Sequence, residues 1–131
     1  MSKSQKSIFM VDDDIAICEL IRIILSDRGL KFQAQYKVYG AFEYIKSHKP
    51  DLILLDLHLP DGNGLNICKK VKQDPELQNI PVIILTTREF NIEKDVAYEA
   101  GADLFMSKPV DKDELVGFIE KFLQDKIQIR F

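Results

Sequence analysis

Acidic side chains follow two apolar runs of the sequence, at points where buried strands would end. Asp12, Asp13 and Asp14 come directly after the first run, and Asp56 comes directly after four aliphatic residues, Leu52–Leu55. Asp14 is placed to cap the helix that follows, because an N-cap side chain accepts a hydrogen bond from a free backbone N–H group. One cap needs only one acid, so Asp12, Asp13 and Asp56 are left as candidates for chemistry.

Three carboxylates at one edge of a sheet would repel one another unless a cation lay among them. Two unit charges ~4 Å apart interact by ~1 kcal/mol in water and by ~4 kcal/mol at the effective dielectric constant of a protein surface. The acids must therefore bind a cation or take up protons. An all-oxygen site with few protein ligands suits Mg²⁺, whereas zinc prefers Cys or His, and only His58 lies nearby. The acids thus indicate a magnesium site.

Two further strand ends carry groups that fit a bound phosphoryl group. Thr86 and Thr87 end the fourth predicted strand, and Lys108-Pro109 follows the fifth. Each has an ordinary alternative, since threonine is common in strands and a lone lysine is usually solvated. If the strand ends meet at one edge, Lys108 can offset the carboxylates and hold a phosphoryl oxygen as a point charge.

Five apolar strand patterns alternate with five helical patterns along the chain. The predicted strands are Ile8–Val11, Leu30–Tyr36, Leu52–Leu55, Pro81–Leu85 and Leu104–Met106. The predicted helices are Ile15–Leu25, a short one from Ala41 to His48, Leu65–Val71, Ile92–Ala100 and an apolar stripe from Leu115 to Leu123, with Leu59–Gly64 as a turn. Strict alternation predicts an α/β fold, a (βα)5 doubly wound parallel five-stranded sheet that binds ligands at the carboxyl ends of its strands.

Length and composition fit one compact domain. The 131 residues predict a single domain with a core from about residue 7 to residue 125 and short ends. A net charge of −3 argues against direct nucleic acid binding, and Lys69, Lys70 and Lys72 are expected to form a solvated helix face. Cys18 and Cys68 are expected to be buried and reduced. No apolar run approaches the ~20 residues of a membrane span, so we expect no membrane insertion and a cytoplasmic location.

Five short motifs resemble, in the same order, the receiver domain of bacterial two-component response regulators. They are VDDD at Val11–Asp14, LLDLHLPDGNG at Leu54–Gly64, PVIILTT at Pro81–Thr87, AGAD at Ala100–Asp103 and SKP at Ser107–Pro109. The resemblance implies a flavodoxin-like, CheY-like fold with strand order 2-1-3-4-5. It also implies phosphorelay signal transduction through an aspartyl phosphate.

The resemblance assigns chemical roles to the residues at the strand ends. Asp56 would be the phosphoacceptor and one of the metal ligands, and Lys108 would pair with the phosphoryl group. Asp12 and Asp13 would form the acidic pair, with Asp13 binding Mg²⁺ directly and Asp12 acting largely through water. The backbone carbonyl of His58 would complete the protein ligands, and Mn²⁺ would be able to replace Mg²⁺.

Three positions match the parts of the family's conformational switch. Thr86 would supply the switch hydroxyl, Phe105 would be the aromatic switch residue, and Lys108-Pro109 would be a cis peptide ending in Pro109. Phe105 is explained equally well as an ordinary aromatic residue of a strand core.

Other positions would set the lifetime of the phosphoryl group. Thr87 is larger than the residue often found after the switch threonine, so it would narrow access to the site. His58 and Arg88, two residues beyond Asp56 and Thr86, match positions that tune this lifetime in relatives.

The resemblance also implies the partners to expect. A sensor histidine kinase or a histidine phosphotransfer protein would donate the phosphoryl group. The surface formed by the fourth helix, the fifth strand and the fifth helix would control a downstream protein, or form a phosphorylation-dependent homodimer. The chain would not be an enzyme beyond catalysing its own phosphorylation and dephosphorylation. A stand-alone regulator is expected, and the receiver part of a longer regulator fits equally well.

Three other functions share parts of this pattern. A phosphatase of the haloacid dehalogenase group needs a second aspartate two residues after its nucleophile, where this chain has His58, and a cap domain that this length does not accommodate. A receiver-shaped binding module that is never phosphorylated would not need Asp56, Thr86 and Lys108 together with the acidic pair. Flavin binding on the same fold needs a phosphate-cradling loop, where this chain has aspartates.

Overall fold

Five parallel strands form the central sheet of the computed structural model, which describes residues 5–87 and 91–124. Along the chain the elements are β1 (Ser7–Val11), α1 (Ile15–Ser26), β2 (Lys31–Gln35), α2 (Ala41–His48), β3 (Leu52–Leu55), β4 (His58–Leu59), β5 (Gly62–Asn63), α3 (Leu65–Gln73), β6 (Val82–Thr86), α4 (Asn91–Glu99), β7 (Leu104–Ser107) and α5 (Lys112–Gln124). The short strands β4 and β5 form a separate antiparallel pair.

The strand order of the main sheet is β2-β1-β3-β6-β7. Counted along the five main strands this is 2-1-3-4-5, so the predicted fold class and order are confirmed. β1 and β3 are direct neighbours, with Val11 opposite Leu55 in the register. β6 lies on the other side of β3, and β7 forms the outer edge. The segments that follow β1, β3, β6 and β7 therefore meet at the same edge of the sheet.

Alternate side chains of the central strands fill two cores, one on each face of the sheet. Ile53 and Leu55 of β3 belong to the core formed with α2, α3 and α4, whereas Leu52 and Leu54 belong to the core formed with α1 and α5. All four are fully buried. Burial on both faces explains why β3 is a continuous aliphatic run rather than an alternating one.

Both cysteines lie in these cores, as the sequence predicted, and neither forms a disulfide. Burial raises the pKa of Cys18 to about 12 and the pKa of Cys68 to about 11. Because the thiolate is the reactive form of cysteine, these thiols pack as small apolar groups and do not act as nucleophiles.

None of the helices in the described residues is long and apolar enough to cross a bilayer.

Most predicted boundaries agree with the structure to within one or two residues. Asp14 caps α1 as predicted, since its carboxylate accepts a hydrogen bond from the backbone N–H of Ile17 at 3.2 Å. The segment predicted as a turn after β3 contains more structure than expected. His58 pairs with Asn63 across a tight two-residue connection, which makes the β4–β5 hairpin.

Lys72 does not lie on a solvated helix face, so this part of the lysine prediction is wrong. Its ammonium group lies 2.8 Å from a carboxylate oxygen of Asp103 and donates to the backbone carbonyl of Ile80 at 2.7 Å. The aliphatic stem packs on Gly101, where a Cβ atom would come within 2.7 Å of it. The side chain of Lys72 is only 15% exposed. The lysine thus joins α3 to the turn before β7.

Candidate functional site

The acidic residues that follow β1 and β3 form one cluster. A carboxylate oxygen from each of Asp12, Asp13 and Asp56 lies within 4.8 Å of the other two. The strand register causes this proximity, because the N–H of Asp56 donates to the carbonyl of Val11 at 2.9 Å. Asp12 and Asp56 are buried, whereas Asp13 is exposed. The cluster therefore has one solvent-facing acid and two that are shielded.

Lys108 reaches this cluster from the end of β7. Its ammonium group lies 2.6 Å from Oδ2 of Asp12 and 3.3 Å from Oδ2 of Asp56. The side chain is only 7% exposed, so the ion pairs are shielded from solvent. The backbone N–H of Lys108 also donates to the backbone carbonyl of Thr86 at 2.6 Å. The Lys108-Pro109 peptide is cis, as the resemblance implied.

Burial and the neighbouring charges shift the pKa values of Asp12 and Lys108 in opposite directions. Burial is the largest influence on the pKa of Asp12 and raises it, while hydrogen bonds from Lys108 and from the N–H of Asp14 counteract that rise. For Lys108, burial lowers the pKa, but the hydrogen bond and charge of Asp12 and the charge of Asp56 outweigh it and leave the pKa raised. Lys108 is thus a cation at neutral pH, which reduces the repulsion among the acids.

The donor atoms of the cluster fit a hard divalent cation. Every candidate ligand is an oxygen, and a small set of carboxylates with open positions for water suits Mg²⁺. Both carboxylate oxygens of Asp12 already accept hydrogen bonds, one from the N–H of Asp14 at 2.9 Å and one from Lys108. The exposed Asp13 therefore offers its carboxylate to a cation more readily than Asp12 does.

His58 lies beside Asp56 through its main chain. Its N–H donates to Oδ1 of Asp56 at 3.2 Å, and its side chain is exposed. This contact orients the Asp56 carboxylate. That the carbonyl of His58 binds a metal stays a prediction from the resemblance.

The remaining predicted residues lie at or near the same edge. Thr86 is the last residue of β6 and is fully buried, opposite Ser107 in the register, and Thr87 follows it at the surface. Phe105 of β7 is partly buried against the core formed by α2, α3 and α4. Arg88 lies outside the described residues.

Gly64 is a residue of the site that the sequence did not single out. Its φ of −60° suits any residue, so the reason for glycine here is the lack of room for a side chain and not the backbone conformation. A Cβ atom at this position would lie 2.0 Å from the carbonyl oxygen of Asp56. Gly64 also donates its N–H to the carbonyl of Leu57 at 2.8 Å. Only glycine lets the start of α3 approach the main chain of Asp56 this closely.

We predict that Gly64→Ala destabilises the protein by about 1–3 kcal/mol, the usual range for forcing extra carbon into a packed site. Gly117→Ala is the matched control, because a Cβ atom at this position in α5 meets nothing within 4 Å. The control should stabilise the protein by about 0.5–1 kcal/mol, since glycine is unfavourable inside a helix. Urea unfolding followed by circular dichroism measures both, and equal effects of the two changes would contradict this explanation.

Asp61 connects the loop after Asp56 to the loop after β2. Its two carboxylate oxygens accept hydrogen bonds from the N–H groups of Val38 and Tyr39 at 2.7 and 3.0 Å. The hydrogen bond from Val38 is the main reason why the pKa of Asp61 is lowered, and the one from Tyr39 adds to it. The ionised form is therefore favoured in the folded chain.

We predict that Asp61→Asn lowers stability at neutral pH and that this loss shrinks in acid. A lowered pKa in the folded state contributes stability above the unfolded pKa, about 3.9, and this contribution is lost as the pH falls through the folded pKa. Urea midpoints measured between about pH 3 and pH 6 test this against Asp95→Asn, a change of an exposed acid on α4. A difference between wild type and Asp61→Asn that does not depend on pH would contradict it.

The family model and the related proteins that this chain matches all indicate the same family. The family model for the response regulator receiver domain matches residues 8–120. The chain is 30% identical over 120 residues to the polar-differentiation response regulator DivK of Brucella anthropi, and the match covers 92% of this chain and 98% of DivK. It is 31% identical over 118 residues to a response regulator of Synechocystis, and that match covers 89% of this chain and 51% of the relative. The chain thus spans about half the length of that relative.

Solved structures agree with the sequence comparison. The crystal structure of a CheY-like response regulator receiver domain protein from Methanospirillum hungatei superposes with a TM-score of 0.86 at 27% identity. The superposition covers 94% of this chain and 97% of that one. The likeness therefore extends over nearly the whole length of both chains.

Proposed function

The chain belongs to the response regulator receiver domain family, whose members are phosphorylated on an aspartate in two-component signalling, and we propose that Asp56 is the acceptor in this protein. One observation carries the proposal. The Asp56 carboxylate lies at the end of the central strand, within 4.8 Å of two other acids and 3.3 Å from the ammonium group of Lys108. This arrangement supplies a nucleophile, oxygen ligands for a metal and a fixed cation.

The proposed reaction moves one phosphoryl group from a phosphohistidine to Asp56. A carboxylate oxygen of Asp56 attacks phosphorus, the P–N bond to the donor imidazole breaks, and the imidazole leaves with its electron pair. The product is an acyl phosphate. Water later attacks the same phosphorus, the P–O bond to Asp56 breaks, and inorganic phosphate is released. Lys108 stabilises negative charge on the transferring oxygens throughout.

The acidic cluster fits the magnesium ion that the family typically binds at this pocket. We infer that Asp13 and Asp56 hold the ion directly, that Asp12 does so largely through water, and that the carbonyl of His58 completes the protein ligands. The two hydrogen bonds already made by the buried Asp12 support this division. When bound, Mg²⁺ offsets the charge that builds up on the phosphoryl oxygens. Mn²⁺ is expected to replace it, since it accepts the same oxygen ligands.

The phosphorylated state is proposed to act through the surface formed by α4, β7 and α5. The Thr86 hydroxyl would turn toward the phosphoryl group, and Phe105 would move inward into the space left behind it. The position of Phe105 in β7 supports this, because its side chain packs against the core but is only partly buried, so that it can become more buried. The changed surface would bind a downstream protein or a second copy of the chain.

Helix α1 offers a surface for the phosphoryl donor. It begins one residue after Asp14, and three of its aliphatic residues, Ile15, Leu20 and Ile23, are 57, 46 and 53% exposed. We propose that a sensor histidine kinase or a phosphotransfer protein docks on this apolar face in the cytoplasm. The chain itself would turn over no substrate beyond its own phosphoryl group.

Phosphorylation by a small donor tests the acceptor directly. Incubation with acetyl phosphate and Mg²⁺ is expected to add one phosphoryl group to the wild type and to Asp113→Asn, an exposed acid of α5, but not to Asp56→Asn. Intact-protein mass spectrometry detects the addition. Phosphorylation of Asp56→Asn at the wild-type rate would refute the assignment, as would a wild type that needs no divalent ion.

The lifetime of the acyl phosphate gives a second test. His58→Ala is expected to speed dephosphorylation, because it removes an exposed side chain next to Asp56 and opens the site to water. Arg88→Ala is expected to change the rate as well, on the resemblance alone. Loss of the phosphoryl group after removal of the donor measures both rates. Rates equal to that of the wild type would contradict a tuning role for these two side chains.

A further inference from the structure

A hydrogen bond joins α4 to the outer strand of the sheet. The N–H of Phe105 donates to the hydroxyl oxygen of Tyr98 at 3.1 Å. Tyr98 lies on α4, which directly precedes β7 in the chain. β7 is the last strand of the sheet, and an edge strand presents backbone groups that no neighbouring strand can pair. The tyrosine hydroxyl therefore satisfies a backbone donor at this edge.

The bonded backbone N–H belongs to the residue whose side chain moves in the proposed switch. Phe105 lies opposite Ile84 of β6, two residues before the pair formed by Thr86 and Ser107. Its ring packs into the core on the α4 side, while its N–H is held by Tyr98 on that same helix. Phe105 is thus fixed to α4 through its main chain as well as through packing. A shift of β7 relative to α4 must lengthen or break this bond.

We propose that the Tyr98 hydroxyl is a positioning group that holds α4 against β7 in the observed arrangement. It thereby opposes the change that phosphorylation of Asp56 would cause in the surface formed by α4, β7 and α5. The inference rests on the proposed function. Lys108 donates directly to the Asp56 carboxylate in the arrangement that Tyr98 stabilises. A phosphoryl group on Asp56 would compete for the same ammonium group. Because Lys108 directly follows β7, phosphorylation of Asp56 and a shift of β7 relative to α4 are linked.

The size of the effect follows from the strength of one hydrogen bond. A contact shifts an equilibrium between two conformations only by the difference in its strength between them. The net contribution of a typical protein hydrogen bond corresponds to a factor of about 2–12 in an equilibrium constant. If the bond is lost on switching, removal of the hydroxyl should strengthen binding of a phosphoryl analogue by up to that factor.

Tyr98→Phe isolates the hydroxyl, because it keeps the ring and its packing. Tyr39→Phe is the matched control, since Tyr39 is 80% exposed in the loop after β2. Two readouts are needed, the exchange rate of the Phe105 amide by NMR and the affinity for beryllofluoride with Mg²⁺ by titration. We expect Tyr98→Phe to speed exchange and to raise the affinity, each by about 2- to 12-fold, and Tyr39→Phe to change neither.

The outcomes separate this inference from the function on which it rests. Faster exchange with unchanged or weaker analogue binding would overturn the proposal and leave Tyr98 as a purely structural contact. Unchanged exchange would overturn it as well. If beryllofluoride failed to bind the wild type at all, the phosphoacceptor function would be refuted and this inference with it.

Discussion

The contact of Lys108 with Asp12 and Asp56 makes the rest of the site possible. Three acids within 4.8 Å of one another would otherwise be strongly unfavourable, the more so because two of them are buried. A buried ammonium group 2.6 Å from one acid and 3.3 Å from another offsets much of that cost. The same cation lies where negative charge would increase on phosphorylation. The site is therefore already electrostatically arranged for the charge it is proposed to receive.

This arrangement depends on the order of the strands. Asp12 and Asp56 meet because β1 and β3 are neighbours in register, and Lys108 reaches them from β7, two strands away from β3. The two cores on either face of the sheet fix the strands, and with them the positions of the polar residues beyond their ends. The packing of the apolar cores therefore determines where the polar residues of the site lie.

The sequence predicts those features that depend on local pattern. Continuous aliphatic runs identified the central strands, and the acids directly after them identified the edge, because parallel strands bring their carboxyl ends together. The motifs then indicated the family, which the match of the family model over residues 8–120 confirms. Lys108 was expected at this edge, but its direct bond to the fully buried Asp12 depends on tertiary distances that no spacing in the sequence encodes.

Residues whose role arises from distant contacts could not be predicted in this way. The lysine cluster of α3 predicts a solvated Lys72, yet Lys72 pairs with Asp103, 31 positions further along the chain. Gly64 was noted only as one of several turn formers, and its close approach to the Asp56 carbonyl becomes visible only in three dimensions. The Tyr98 hydroxyl is a comparable case, because its partner is a backbone group at a sheet edge, which has no signature in the side-chain sequence.

The close approach of Gly64 has a consequence for how Asp56, the proposed acceptor, would respond to phosphorylation. The main chain at Asp56 is confined on both sides, since the N–H of Asp56 donates to the carbonyl of Val11 and the carbonyl oxygen of Asp56 lies against Gly64, directly before α3. The main chain there would have little freedom to relax if the Asp56 side chain gained the bulk and charge of a phosphoryl group. A phosphoryl group on Asp56 would therefore be accommodated by movement of neighbouring side chains more readily than by movement of the Asp56 main chain.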